Sequence, residues 1–155
     1  MKIKNILLLI LPLLLILGSC KKFDTEEQVK IDDATILKFI SEKSIPAQKH
    51  ESGIYYQILS PGSGNVKYTA NTTVSTKYTG RLLNGSVFDG TTTQAVSFPL
   101  GQVISGWQIG IPLIQKGGKI RLLIPSGLAY GQDGQGPIPG NAVLDFDIEL
   151  LDVTN

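Results

Sequence analysis

The chain of 155 residues is short of most side chains from which enzymes build reactive centres. It holds one Cys and one His, which excludes a disulfide framework and an ordinary zinc site within one chain. His50 is the sole imidazole and sits in a polar stretch, so a Ser-His-Asp hydrolase is disfavoured as well. Neither sign of charge dominates, with 14 Lys+Arg against 13 Asp+Glu and a net charge of +1. Phosphate backbones need a basic stripe, so nucleic acid is not an expected partner. Only 17% of residues are charged, while Gly numbers 17 and Pro 8, which favours frequent turns over long polar helices. No apolar run is long enough to cross a bilayer, which takes about 20 residues; the longest, Ile6 to Leu17, is interrupted by Pro12. What remains is a 42% hydrophobic content, enough for one packed domain.

The short apolar run follows Lys2 and Lys4 and therefore reads as the core of a signal peptide. It ends in Leu17-Gly18-Ser19-Cys20, which resembles the lipobox of bacterial lipoproteins. That resemblance implies cleavage before Cys20, lipid on Cys20 and a membrane held by acyl chains rather than by surface charge. Lys21 in place of Asp implies the outer membrane, facing the periplasm. The expected organisation is a signal peptide over 1–19, a lipidated tether with a short helix over 20–51, and one domain over 52–155.

Residues 21–31 are polar and of mixed charge. From Asp32 the pattern changes, with Ile36, Leu37, Phe39 and Ile40 spaced as on one helical face. Asp32 or Asp33 is placed to cap a helix of about 12 residues, and Pro46 bars extension beyond Ile45. Such a helix either covers apolar surface of the domain or serves as a spacer or dimerisation element. Beyond Ser52 the pattern is one of strands. Ile54, Tyr56 and Ile58 alternate, as do Val74, Thr76 and Tyr78, and Asn84-Gly85 marks a hairpin before Val87 and Phe88. A further strand spans 119–124. In the last strand, 142–151, Leu144, Phe146, Ile148 and Leu150 are expected to face the core and Asp145, Asp147 and Glu149 to face solvent. Val103, Trp107, Ile111 and Ile114 form one helical stripe, with Pro112 ending the regular helix near Ile111. The fold class is α+β, one antiparallel sheet wet on one face with one short helix packed across it.

Four strings occur in order: TKYTGRLLNGSVFDG (76–90), FPLGQVISGWQIGI (98–111), GGKIRLLIPSGLAYG (117–131) and IPGNAVLDFDIELLDV (138–153). Together they resemble the FKBP-type peptidyl-prolyl cis–trans isomerases over about residues 52–152. The resemblance implies the FKBP-like sheet wrapped across a short helix, with Tyr78, Phe88, Asp89 and Tyr130 as catalytic residues. It also implies that Val103, Ile104, Trp107, Ile138 and Phe146 bind the substrate, a proline-containing polypeptide. Trp107 would be the floor for the proline ring. The Ile104 N–H and the Tyr130 hydroxyl would hold the flanking carbonyls.

Independently of the resemblance, the blocks hold most of the aromatics, with Asp89 beside Phe88 and with tyrosine hydroxyls that need polar partners. An apolar pocket with a few placed polar groups is the common form of a small-ligand site. Neither cofactor nor metal is expected. Rotation about X–Pro faces a barrier of about 18–20 kcal/mol, set by amide resonance. A dry apolar pocket favours the less polar twisted amide over the planar one. The same groove also suits a non-catalytic module that holds a Pro-containing partner. Four departures from the family pattern stand out: no Arg follows Phe88-Asp89, Val96 replaces an aromatic, the loop after Tyr130 lacks His, and Asp145 replaces an apolar residue.

Overall fold

Strand assignment follows from the hairpin at Asn84-Gly85. In the computed structural model, which describes residues 25–155, the Leu82 N–H donates to the Ser86 carbonyl (2.9 Å) and the Ser86 N–H to Asn84 Oδ1 (2.9 Å). These bonds close the turn between β3 (Thr73–Leu82) and β4 (Val87–Pro99). Cys20 and the apolar run before it lie outside the described residues. Two further strands, β1 (Gln48–Lys49) and β2 (Tyr55–Ser60), precede the hairpin, and β5 (Lys119–Ile124) and β6 (Leu144–Thr154) follow it. All six join one antiparallel sheet in the order β1-β2-β5-β6-β3-β4. Among the described residues no helix is long and apolar enough to cross a membrane.

The C-terminal strand lies between β5 and β3, and its alternation makes the core. Leu144, Phe146, Ile148 and Leu150 are all buried, beside Val74, Ile120, Leu122 and Ile124. Across this face runs the short helix α2 (Ser105–Gly110), continued by a 3₁₀ turn, Ile111–Leu113, that contains Pro112. The regular helix thus stops where Pro112 was expected to stop it. Two glycines one helical turn apart let α2 sit tightly on β5. A Cβ on Gly106 would lie 2.4 Å from Ile124 Cγ2, and one on Gly110 2.5 Å from Leu122 Cδ1. Any larger residue at either position would push the helix off the sheet.

Three expectations need correction. The N-terminal helix, α1, is longer than the apolar stripe predicted: it spans Thr25–Lys43, 19 residues. Glu26 and Glu27 in its first turn and Lys43 in its last match the helix dipole, so the polar stretch expected to be tether is partly helical. Asp32 does not cap the start but sits mid-helix and is buried. Second, the sheet's outer face is not simply wet. Ile36 of α1 packs against Tyr55, Leu123 and Val143 in a second cluster, with Phe39 and Ile40 beside it, while Leu37 of the same stripe stays exposed.

Third, Asp145 is not solvated. It is 2% exposed and bound bidentately by Arg121, Nε to Oδ1 at 2.9 Å and Nη2 to Oδ2 at 2.8 Å. Arg81 reaches its Oδ2 at 3.4 Å and also donates to Asp147. The Arg121 guanidinium lies 6.0 Å from the Phe39 ring, so α1 roofs this charged layer. Alternation alone cannot distinguish a solvated carboxylate from one buried under a second layer, and here the buried case holds.

Candidate functional site

The site is assembled where β3, β4 and β6 lie side by side beneath the N-terminus of α2. Gly80 pairs with Asp89 on one side and Phe146 on the other, and Tyr78 pairs with Thr91 and Ile148. A Cβ on Gly80 would lie 2.7 Å from both Phe88 Cζ and Phe146 Cε1. The missing side chain therefore lets those two rings meet edge to face, 5.5 Å apart at 85°. Trp107, from α2, is ringed by three aromatics in the same geometry, Phe146 among them. Its indole lies 5.0 Å from Tyr78, 5.4 Å from Phe146 and 6.0 Å from Phe98, at angles of 82° to 89°. Edge-to-face contacts of this kind are worth about 0.5–1.5 kcal/mol each beyond burial, so the box is rigid before any ligand enters.

These rings bound an open cavity of about 320 Å³. Eight of the nine residues expected at the site line it: Tyr78, Phe88, Asp89, Val103, Ile104, Trp107, Tyr130 and Phe146. Ile138 does not. It is buried in the core behind the rim and exchanges both backbone hydrogen bonds with Gln135, at 2.9 Å each, so Gln135 is the residue presented to the cavity. Phe98, Gln102 and Gln135 complete the lining and were not anticipated. Alternation does not carry along β4 from Phe88 to Phe98, because register shifts opposite Thr76–Tyr78 and Gly80–Arg81 interrupt it. Val96, where the family pattern has an aromatic, is exposed and does not line this cavity, whereas Phe98 does.

Polar groups stand at the rim. The Tyr78 hydroxyl donates to Asp89 Oδ2 at 2.7 Å, and the Gly90 N–H donates to Asp89 Oδ1 at 2.8 Å. The carboxylate is therefore oriented without the arginine that the family pattern led one to expect. Burial, and then the hydrogen bond to Asp89, push the Tyr78 phenol far above its ordinary pKa of 10.0. Burial also raises Tyr130, with a smaller contribution from the Asp89 charge. Both phenols stay protonated donors at neutral pH. Among the described residues the Tyr130 hydroxyl has no hydrogen-bond partner, and Tyr130 lines the cavity near enough to Asp89 for that charge to act on its phenol.

Ile104 immediately precedes α2, so its N–H belongs to the end of the helix where amides lack internal acceptors. The Gln108 side chain donates to the Val103 carbonyl at 2.8 Å and fixes the loop that presents both residues. The described residues contain no cluster of His, Cys, Asp and Glu that could hold a metal. The arrangement offers an apolar slot, a flat indole at its base and neutral donors at its rim.

The family model for FKBP-type peptidyl-prolyl cis-trans isomerases matches residues 64–151. The chain belongs to this family. It is 47% identical over 103 residues to the FKBP-type peptidyl-prolyl cis-trans isomerase FkpA of Aeromonas hydrophila, covering 65% of this chain and 38% of that protein. The FKBP fold here is also similar to the crystal structure of FkpA from Escherichia coli, with a TM-score of 0.72 and 37% identity over 83% of this chain and 62% of that one. A peptidyl-prolyl cis-trans isomerase from Pseudomonas syringae pv. tomato gives a TM-score of 0.70 and 38% identity, over 86% of this chain and 98% of its own. The chain spans less than half the length of the curated relatives it matches. It matches the Pseudomonas syringae isomerase along nearly all of that chain.

Proposed function

We propose that this FKBP-family chain is a peptidyl-prolyl cis–trans isomerase that assists folding of exported proteins while anchored by lipid on Cys20. The observation that carries the reading is the aromatic cavity with Trp107 buried at its base and Asp89 and Tyr130 at its rim. The planar X–Pro amide is polar and stabilised by water, whereas the twisted amide has lost its charge separation. Transfer to an apolar slot therefore destabilises the planar form more than the twisted one, which is catalysis by differential binding. Tyr78, Phe88 and Asp89 act on the rotating bond, and Tyr130 completes this catalytic set by holding a flanking carbonyl. Val103, Ile104, Trp107 and Phe146 hold the proline and its neighbours, and Ile138 supports the rim from behind. Uncatalysed rotation takes tens to hundreds of seconds and limits folding, so a tethered catalyst meets its substrates as they emerge. The isomerase unit is residues 52–155, with the tether and α1 before it. The anchor is the outer membrane, on the periplasmic side.

The test is the cis-to-trans rate of an X–Pro peptide with the full chain in detergent. A clear acceleration is expected, and Tyr130→Phe and Asp89→Ala should each lower kcat/KM by about five- to tenfold, the size of one lost hydrogen bond. Thermal unfolding should be nearly unchanged in Tyr130→Phe and modestly lowered in Asp89→Ala, which also loses the Tyr78 hydrogen bond. Peptide affinity without acceleration would identify a binding module instead. The anchor is checked separately: Cys20→Ser should move the chain from the membrane to the soluble fraction, and unchanged fractionation would refute lipidation at Cys20.

A further inference from the structure

Asp32 of α1 is 2% exposed, and it is bound by neutral donors alone. Its Oδ2 accepts from the Ser126 N–H at 2.8 Å and from the Ser126 hydroxyl at 2.7 Å, and its Oδ1 accepts from Gln28 Nε2 at 2.7 Å. The neighbouring cation, Lys49, is bonded to Asp33 instead. Burying a carboxylate without a counter-ion costs several kcal/mol unless its hydrogen bonds are complete. Such a group is a poor choice for merely gluing a helix to a sheet, a task that Ile36, Tyr55 and Leu123 already perform with apolar surface.

What the carboxylate holds is more specific. Ser126, itself 1% exposed, opens the 3₁₀ turn Ser126–Leu128. Its carbonyl accepts from both the Ala129 N–H (3.0 Å) and the Gly131 N–H (2.9 Å), the residues on either side of Tyr130. One serine thus has its N–H and hydroxyl on Asp32 and its carbonyl on the backbone that carries the cavity's free phenol. From the far side, the Asn141 N–H donates to the Gly131 carbonyl at 2.8 Å. We propose that Asp32 is a positioning residue for Tyr130: the N-terminal helix reaches across 94 residues of sequence to lock the turn that aims the Tyr130 hydroxyl into the cavity. The kinetic half of this inference rests on the isomerase reading above; the structural half does not.

The full chain is compared with its Asp32→Asn variant, which keeps the shape of the side chain and removes the charge. Amide hydrogen exchange of Ala129 and Gly131 should be about tenfold faster in the variant, the effect of weakening a hydrogen bond to a charged group. For an X–Pro peptide, KM should rise about fivefold while kcat stays within about twofold, since ground-state contact by the hydroxyl is what is lost. In a Tyr130→Phe background the same substitution should leave KM unchanged, because residues acting through one group are not additive. Ile36→Val loosens the same helix without touching Ser126 and should lower Tm but not move KM. Should Asp32→Asn not fold, Ser126→Ala removes one of the two Ser126 donors and should give a smaller change in the same direction. Unchanged exchange at 129 and 131 overturns the proposal, as does full additivity with Tyr130→Phe or an equal KM rise in Ile36→Val. A wild-type chain without rotamase activity would overturn the isomerase reading instead, and the exchange measurement alone would then decide the role of Asp32.

Discussion

On the α2 side of the sheet, Asp89 stands exposed at the rim of an apolar cavity and is held by one phenol and one amide. On the α1 side, Asp32 and Asp145 are each 2% exposed, and Asp145 is gripped by two guanidinium groups. The same side chain therefore does two jobs in one domain. Where the donors are neutral and water has access, the carboxylate retains lone pairs and can answer to a ligand. Where both oxygens are engaged and water is excluded, it fixes the positions of whatever holds it. The rings follow the same division. On the cavity side they meet edge to face around open space, whereas Phe39 on the other side closes over Arg121.

The contrast breaks most sharply if the charged layer is removed. Asp145→Ala leaves Arg121 and Arg81, each 24% exposed at the side chain, facing one another without the carboxylate between them. Loss of one member of a buried ion cluster costs about 3–5 kcal/mol, and the expected fall in Tm is about 10 °C for a domain of this size. Replacing Arg81, Asp145 and Arg121 together by apolar residues of similar volume should recover much of that loss, because no uncompensated buried charge remains; Asp147, which loses Arg81, is 45% exposed at the side chain. Below the transition, KM for an X–Pro peptide should be unchanged in both variants. A rise in KM with Asp145→Ala would mean that the two faces are coupled through β6 and that the division drawn here is wrong.

How much of this was legible in the sequence depends on which side is considered. The cavity side was read well because its determinants are local or periodic: the Asn84-Gly85 turn sets the register of β3 and β4, alternation places Phe146, and 3.6-residue spacing places Trp107. The α1 side was read poorly because its determinants are tertiary. Nothing in the pattern around Asp145 distinguishes a wet face from one roofed by a helix more than a hundred residues earlier in sequence. Asp32 likewise has the composition of a cap, and only the fold brings Ser126 to it. Ile138 and Gln135 show the same limit on a smaller scale. The family resemblance marks the segment, but a backbone bridge between the two residues decides which side chain reaches the cavity.

The smallest effect expected is also the one that best isolates the cavity side. Burial and Asp89 raise the pKa of Tyr78 above its unfolded value of 10.0, and Tyr130 and Tyr68 shift the same way through burial. For a phenol, a raised folded pKa means that the native state keeps a proton that the unfolded chain gives up. The resulting stability is fully present below the unfolded pKa and is lost as pH rises past 10 toward the folded value. The urea midpoint should thus be flat between pH 7 and 9 and fall above pH 10, as far as lysine deprotonation leaves the protein measurable. Tyr78→Phe removes the most strongly shifted phenol together with its bond to Asp89. It should lower stability modestly at pH 8, by about 1 kcal/mol for one hydrogen bond, and flatten the alkaline limb, with Tyr130, Tyr68 and Tyr55 leaving a residual slope. An alkaline limb as steep in Tyr78→Phe as in the parent would place the titrating groups outside the cavity. The Tyr78–Asp89 pair would then orient the carboxylate without contributing to the pH dependence of stability.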